Sequence, residues 1–449
     1  MDILSSSIPD LIVIFRLAYR FIFEYYGWVI FVIGVLYLLW RTYLLEIQHQ
    51  YVRSHKYIFF QIRVPKDNLT STLAVETIFA QLHSLHVSKT FAEKFVEGHI
   101  QLWYSLEVIS MGGKVSFIIR LPERMRHVVE SAFYAHYPQA EITEVADYME
   151  NFNYDPDDPN CPYEIFGTEW KLAQDDVIPI KTYKEFEHPA AEETVIDPLA
   201  NFFEGMATME PHEFFGTQII IQPLADEEWM PRGEKKVKEL IGAEPEHDLK
   251  FRDAFLYPVN KFSKFSYKET ILGSAQAHAP DPQLQKQRTN WLNMTEGEKE
   301  RVTYIEKKIS KAGYKTKIRF LYIAPKDKFD VSKKSIITGA YRPLANPMIN
   351  KIKPDVGHTW TAVDYAISRT LEKPYLDWHL KYKKRNIFKG YKNRDIHIGL
   401  HMFILNIEEI ATLYHFPITT KTTTVSTSIE RTESKKSQPP VNLPIIEQN

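Results

Sequence analysis

The sequence predicts an α+β protein held to a membrane by an N-terminal helix, and three observations predict it. An uncharged apolar run lies near the N-terminus. Segments of period-2 and period-3.6 hydrophobicity alternate through residues 57–150, and the alternation returns in looser form through residues 177–417. At 449 residues the chain exceeds one ordinary core, so two domains with appendages are expected. Apolar residues at 44% and charged residues at 25% fit a folded, soluble body, and a net charge of −2 calls for no polyanionic partner.

The anchor is placed at residues 25–45. From Tyr25 to Trp40 (YYGWVIFVIGVLYLLW) there is no charged residue, and Thr42–Leu45 prolong the run past Arg41. About 20 mostly apolar residues cross a bilayer, and an arginine near one end can snorkel to the headgroups. Tyr25, Tyr26, Trp28, Trp40 and Tyr43 sit at the ends, where aromatic belts belong. The start, MDILSSS, has no basic residue and no small-residue cleavage site follows the run, which argues against a secretory signal. Residues 1–24 are read as an amphipathic, membrane-interfacial helix, because Arg16, Arg20 and Glu24 fall on one helical face; a second spanning helix is the rival. Basic residues flank the run on both sides, and the lone Cys161 favours a reducing compartment, so the main body is placed in the cytoplasm.

In residues 57–150, Tyr57–Val64 reads as a strand, and Val75, Ile78, Phe79 and Leu82 recur at helical spacing within Leu73–Leu85. Two alternating runs, through Leu102–Val108 and Val115–Leu121, flank the hairpin signal Met111-Gly112-Gly113. A helix over Arg124–Tyr137 and a strand over Ala140–Tyr148 complete the order β-α-β-β-α-β, that of a ferredoxin-like unit. Residues 151–176 open with NFNYDPDDPNCP and read as a linker. Its Asp155, Asp157 and Asp158 lack the glycine and distal glutamate of a calcium loop, so they read as solvated acids.

Residues 177–417 predict a second, degenerate α+β domain. Its expected elements are a strand at Val177–Tyr183, a helix at Pro198–Met209, a strand at Gly216–Pro223, a helix at Gly297–Ala312 and a strand at Lys315–Ala324. An irregular insertion occupies 231–296, with a helix only at Lys235–Ile241. Ile396–Leu405 reads as a strand leading into a short helix that Asn406 and Glu409 would open with a capping box. The Thr/Ser/Lys/Pro-rich tail, 418–449, is expected to be disordered.

For chemistry, the informative feature is a missing string. A phosphate-cradling loop needs spaced glycines before Lys-Ser/Thr, and neither Lys333-Lys334-Ser335 nor Met111-Gly112-Gly113-Lys114 meets that pattern. No ATPase, catalytic or cofactor site is therefore expected. His83 and His86 are three apart without a third ligand, His397 and His401 flank a strand, and Cys161 has no nearby histidine, so no metal site or nucleophile is assigned. The one basic concentration is Lys373–Arg394 (KPYLDWHLKYKKRNIFKGYKNR). Lys381, Lys383, Lys384, Arg385, Lys389, Lys392 and Arg394, interleaved with Trp378 and Tyr382, would suit single-stranded nucleic acid or anionic lipid. A charged helix covering a core with its aromatic face is the competing reading, and on it Trp378 buries.

Several strings together, YIFFQIRVPKDNLTSTLAVETIFAQLHSL, LWYSLEVISMGGKVSFIIRLP, FFGTQIIIQPL, LNIEEIATLYHFP and QPPVNLP, extend a resemblance over nearly the whole chain. They resemble the membrane-anchored N-terminal region of bacterial HerA/FtsK-like ATPases of the type IV secretion coupling-protein kind, a region that is itself a domain of unknown function. The resemblance implies a P-loop motor following the counterpart of Leu405–Pro417. The family's Walker residues have no matching positions here, so no site carries over. Either a separately encoded ATPase works with this chain, or the chain is a stand-alone relative. The function expected is a non-catalytic, membrane-anchored assembly subunit that contacts its own copies or a motor ring. A membrane-tethered nucleic-acid-binding accessory protein is the alternative.

Overall fold

The computed structural model describes residues 27–65, 70–186, 197–242, 292–362 and 369–417, with positions 13, 16, 19, 20 and 68 besides. The interfacial-helix reading of 1–24, most of the 231–296 insertion and the 418–449 tail lie outside the described residues. Two compact units result, one of Met1–Lys56 with Val87–Leu102 and one of Tyr57–His86 with Trp103–Asn449.

In the first unit, helix α1 runs Gly27–Arg53, beyond the expected end at residue 45. Its stretch Phe31–Arg53 is 23 residues long with a mean hydropathy of 1.3, and by length and composition it can cross a membrane. Phe31, Ile33, Leu36, Leu38 and Leu39 all stand exposed.

The second unit is built on strands β1 (Tyr57–Arg63), β2 (Tyr104–Met111), β3 (Lys114–Pro122), β4 (Glu141–Val145), β5 (Tyr163–Leu172), β6 (Phe214–Leu224), β7 (Gly313–Pro325), β8 (Ile352–Pro354) and β9 (Phe403–Asn406). They form one nine-stranded sheet in the order β4-β1-β3-β2-β6-β7-β5-β8, with β9 on β7, and all its pairs are antiparallel. The two regions expected as separate domains thus share one sheet, because β2 pairs with β6 from Tyr104↔Ile221 to Met111↔Phe214. The predicted hairpin is present: Met111 pairs with Lys114, and Gly112 (φ 59) and Gly113 (φ 82) both take the positive φ that a tight primed turn needs.

Period-2 alternation sends side chains to two buried faces. On one, Phe60, Leu106, Phe117, Ile219, Phe320 and Leu405 enter the largest core. It is covered by α2 (Thr72–His83), α4 (Arg126–His136), α5 (Ala200–Ala207) and α10 (Ile407–Leu413), whose Phe79, Phe133, Phe203 and Ile410 join that core. Each such side chain withdrawn from water contributes on the order of 1.5–3 kcal/mol before entropy is counted. On the other face, Ile109, Phe214, Leu321 and Ile323 pack with Ile387, Phe388 and Tyr391 from α9 (Arg369–Asn393). Between α2 and α4 in the chain lies the short α3 (Phe91–Phe95), part of the first unit. Helices α6 (Asp226–Ile241), α7 (Glu296–Ile309) and α8 (Lys334–Gly339) complete the described elements used below.

Several expectations change. The linker of 151–176 contains a full strand, β5, between β7 and β8. The strand expected at Val177–Tyr183 is instead irregular backbone. The backbone N–H of Ile180 donates to Glu409 Oε1 (2.9 Å) and that of Tyr183 to Thr412 Oγ1 (3.0 Å), so α10 side chains satisfy donors that a neighbouring strand would otherwise take. α6 begins before Pro231 rather than after it: Asp226, Glu227 and Glu228 favour its N-terminus and Gly242 (φ 73) caps its end. The strand expected from Ile396 begins only at Phe403. The Asn406–Glu409 capping box forms as expected.

Candidate functional site

The basic stretch folds as α9 beyond its first four residues, with Arg394 just past its end, and the structure assigns its residues to different environments. Trp378, expected to bury, is 64% exposed, and Tyr375 and Tyr382 are exposed with it. Helical spacing stacks these rings: Trp378 lies parallel to Tyr382 with centroids 6.3 Å apart, and Tyr375 lies 6.4 Å from Trp378. One helical turn beyond, the face turns inward. Ile387 and Phe388 bury, and Tyr391 is 0% exposed. The seat for this half is cut by two glycines in the sheet. A Cβ at Gly216 would overlap the Tyr391 hydroxyl, and one at Gly167 would press on Ile387.

The cations of the stretch are mostly committed inside the chain. Lys384 Nζ meets Glu164 Oε1 at 2.6 Å, and Lys383 Nζ donates to the Gly357 carbonyl at 2.8 Å. Arg385 pairs with Asp157 and lies 3.8 Å from Asp155, while Lys381 lies 3.4 Å from Asp157. Two of the acids read as solvated, Asp155 and Asp157, thus meet the helix, in exposed pairs that solvent screens. Lys392 donates to the Phe152 carbonyl (2.8 Å), and Lys389 points to solvent.

Arg394 is no surface contact. It is buried between Glu107 (Nε to Oε1, 3.0 Å) and Asp147 (Nη1 to Oδ2, 2.6 Å), and its guanidinium lies over the rings of Phe59 and Tyr148. Its φ of 53 ends α9 in the left-handed region. Burial alone would raise the Glu107 carboxyl, but the Arg394 charge and hydrogen bonds from Arg394, Ser105 and Tyr148 outweigh it and hold the group below the usual range.

Sequence reasoning missed what Arg394 belongs to. Gln61, Ile118, Glu107, Gln218, Arg319 and Glu169 are successive partners across six strands, so one register row carries polar groups through the sheet. Gln218 Nε2 donates to Glu107 Oε1 and to the Tyr391 carbonyl, both at 3.0 Å. Arg319 Nε donates to Glu169 Oε1 (2.7 Å), and its other nitrogens donate to the carbonyls of Gly390, Asp395 and Ile398. The row fastens the end of α9 and the following loop to the sheet. A single charged residue, Glu107, within a strand otherwise of apolar and serine residues, Tyr104–Met111, was the signal available.

Beside α9 a cavity of about 460 Å³ opens between Tyr382, Lys383, Asn386 and Ile387 of the helix and residues 398–401, with Glu169 at its floor. Both Glu169 oxygens are engaged, one by Arg319 and the other by the Leu400 N–H (2.5 Å), and burial lowers the Lys383 amine below its usual range. Elsewhere, His83 bonds the Leu224 carbonyl (2.9 Å) and Cys161 is buried in the second core. Among the described residues no group of three or more His, Cys, Asp or Glu is arranged to hold a metal ion.

Fold and site together define an α+β protein with an N-terminal helix apolar enough to cross a membrane and an internally neutralised polar row. In comparisons with known proteins, no family model matches the chain and no curated protein matches it.

Proposed function

We propose that this chain is a non-catalytic, membrane-anchored assembly subunit of a type IV secretion or DNA-transfer-like machine in the bacterial inner membrane. Its main body lies in the cytoplasm and works with a separately encoded P-loop ATPase and with further copies of itself. The observation that carries the reading is α1, a long apolar helix with exposed lipid-type side chains. Two further features support it. The buried charges of the body are spent on one another, as in Arg319–Glu169, Arg394–Glu107 and Lys308–Glu409 (2.9 Å), which suits a scaffold better than a reaction centre. The glycine turn at Gly112-Gly113 packs under the backbone of Ala207, Met209 and Pro211, where a phosphate would have to sit.

The strand order supports reading residues 57–150 as a ferredoxin-like unit, with β4-β1-β3-β2 carrying α2 and α4 on one face. Taken from the far edge, β8-β5-β7-β6 repeats that order with the same chain sequence of strands, which supports a second, degenerate unit joined to the first through β2 and β6. Strand edges and helix faces of such units are common assembly surfaces.

The alternative, a nucleic-acid-binding accessory protein, draws on the exposed Tyr375–Trp378–Tyr382 ladder. Against it stands the pairing of Lys381, Lys384, Arg385 and Arg394 with acids of the same chain. The deciding experiment is nucleotide binding and hydrolysis by the purified full chain. We expect no ATP hydrolysis and no MgATP-dependent thermal shift at about 1 mM, a concentration at which a site of Kd near 10 µM would stabilise by about 2.7 kcal/mol. A shift lost on chelating magnesium would overturn the reading.

A further inference from the structure

The segment between α2 and β2 is built onto the end of α1. Phe95 stacks on Trp40 of α1 with centroids 6.5 Å apart, and Trp40 is itself 6.2 Å from Tyr43. Further along, Tyr51 meets the His99 ring at 4.4 Å. Gly98 (φ 72) comes so close to the Ile47 backbone that any Cβ there would collide with it. The short α3 is fixed by a Thr90–Glu93 capping box, yet it has no buried residue. Phe91 is 76% exposed and Val96 62% exposed, and the Phe91 and Phe95 rings lie 4.6 Å apart. Lys94 stands over the Phe95 ring, with its nitrogen 5.4 Å from the centroid.

We propose that residues 87–102 form a membrane-seated collar, with Phe91, Phe95 and Val96 entering the acyl–headgroup boundary of the leaflet through which α1 exits. The proposal rests on reading α1 as a spanning helix. A helix rises 1.5 Å per residue and the hydrocarbon core is about 30 Å thick; in the stretch Phe31–Arg53 the residues before Arg41 carry no charge, so the exit of the span falls between Arg41 and Glu46. Trp40 and Tyr43 then occupy the exit belt, and Phe95 is held at that level by its stack on Trp40. Water is a poor environment for two phenylalanines on a five-residue helix and the valine that caps it, whereas the interface takes rings and a snorkelling lysine together. The occupant is therefore the bilayer itself, continuous with the lipid around α1.

The test places an environment-sensitive fluorophore on the full chain reconstituted in lipid vesicles, in a Cys161→Ala background. Phe91→Cys and, separately, Leu36→Cys carry the label, and the vesicles contain lipid brominated either near the carboxyl end of the acyl chain or near its middle. We expect the label at position 91 to emit blue-shifted and to be quenched most by the shallow bromines, and the label at 36 to be quenched most by the deep ones. Quenching at 36 with a water-like, unquenched label at 91 would overturn the collar and leave the span standing. A label at 91 that is blue-shifted but insensitive to brominated lipid would also overturn it, since protein rather than lipid would then cover Phe91. Loss of quenching at both positions would overturn the span and the collar together.

Discussion

Residues 375–385 of α9 and residues 386–394 draw on the same set of lysine, arginine and ring side chains, yet Trp378 is mostly in solvent and Tyr391 is wholly out of it. The difference lies beneath the helix. Under the second half, Gly167 and Gly216 lower the sheet surface so that Ile387 and Tyr391 can enter, and Glu107 and Asp147 wait for Arg394. Under the first half the partners are edge acids, Asp155, Asp157 and Glu164, which meet cations without drawing the rings inward. Burial of this helix is thus decided by the opposing surface, and two neighbouring stretches that both carry cations and rings can differ wholly in what they contribute.

The comparison is broken most easily at Arg394. Arg394→Ala leaves Glu107 buried without its cation, and removing one partner of such a pair costs about 3–5 kcal/mol. We expect a large fall in the melting temperature of the full chain in detergent; a fall equivalent to less than about 1 kcal/mol would mean that the row does not hold the sheet to α9. Gly216→Ala should come next, at about 1–3 kcal/mol, because the new methyl overlaps the Tyr391 hydroxyl. In the first half, changing Lys383, Lys384 and Arg385 together to alanine removes contacts that solvent partly screens and should lower the melting temperature less than either of those changes. The smallest effect is expected for Trp378→Ala, within about 0.5 kcal/mol, reversing the expectation of a core tryptophan. Single-stranded DNA binding at physiological salt, abolished by the triple change in a folded protein, would instead give the exposed half a nucleic-acid role.

What was legible in the sequence follows the same physics. The β2–β3 hairpin announced itself because Gly112-Gly113 is required by local backbone geometry and the flanking strands alternate cleanly. The Asn406–Glu409 cap was legible for the same reason, since its bonds close within four residues. β5 was not. The turn-prone NFNYDPDDPNCP ahead of it reads as a linker, and its Glu169 and Lys171 find their partners far along the chain, in Arg319 and Asp355. Arg394 looked like the last charge of a basic run for the same reason, as its partner Glu107 lies on the central strand β2. The 87–102 collar has no periodicity to detect, because its order comes from α1.

The membrane anchor is the centre of the account, and fractionation of cells expressing the full chain or a form lacking Met1–Leu45 tests it most directly. The full chain should stay with the membrane pellet through high-salt and alkaline washes, because about 20 apolar residues hold it there. The truncated form should move to the soluble fraction, since exposed rings on the 87–102 segment give only weak, reversible adsorption without a span. A truncated form that remains in the pellet after both washes would contradict a single N-terminal anchor.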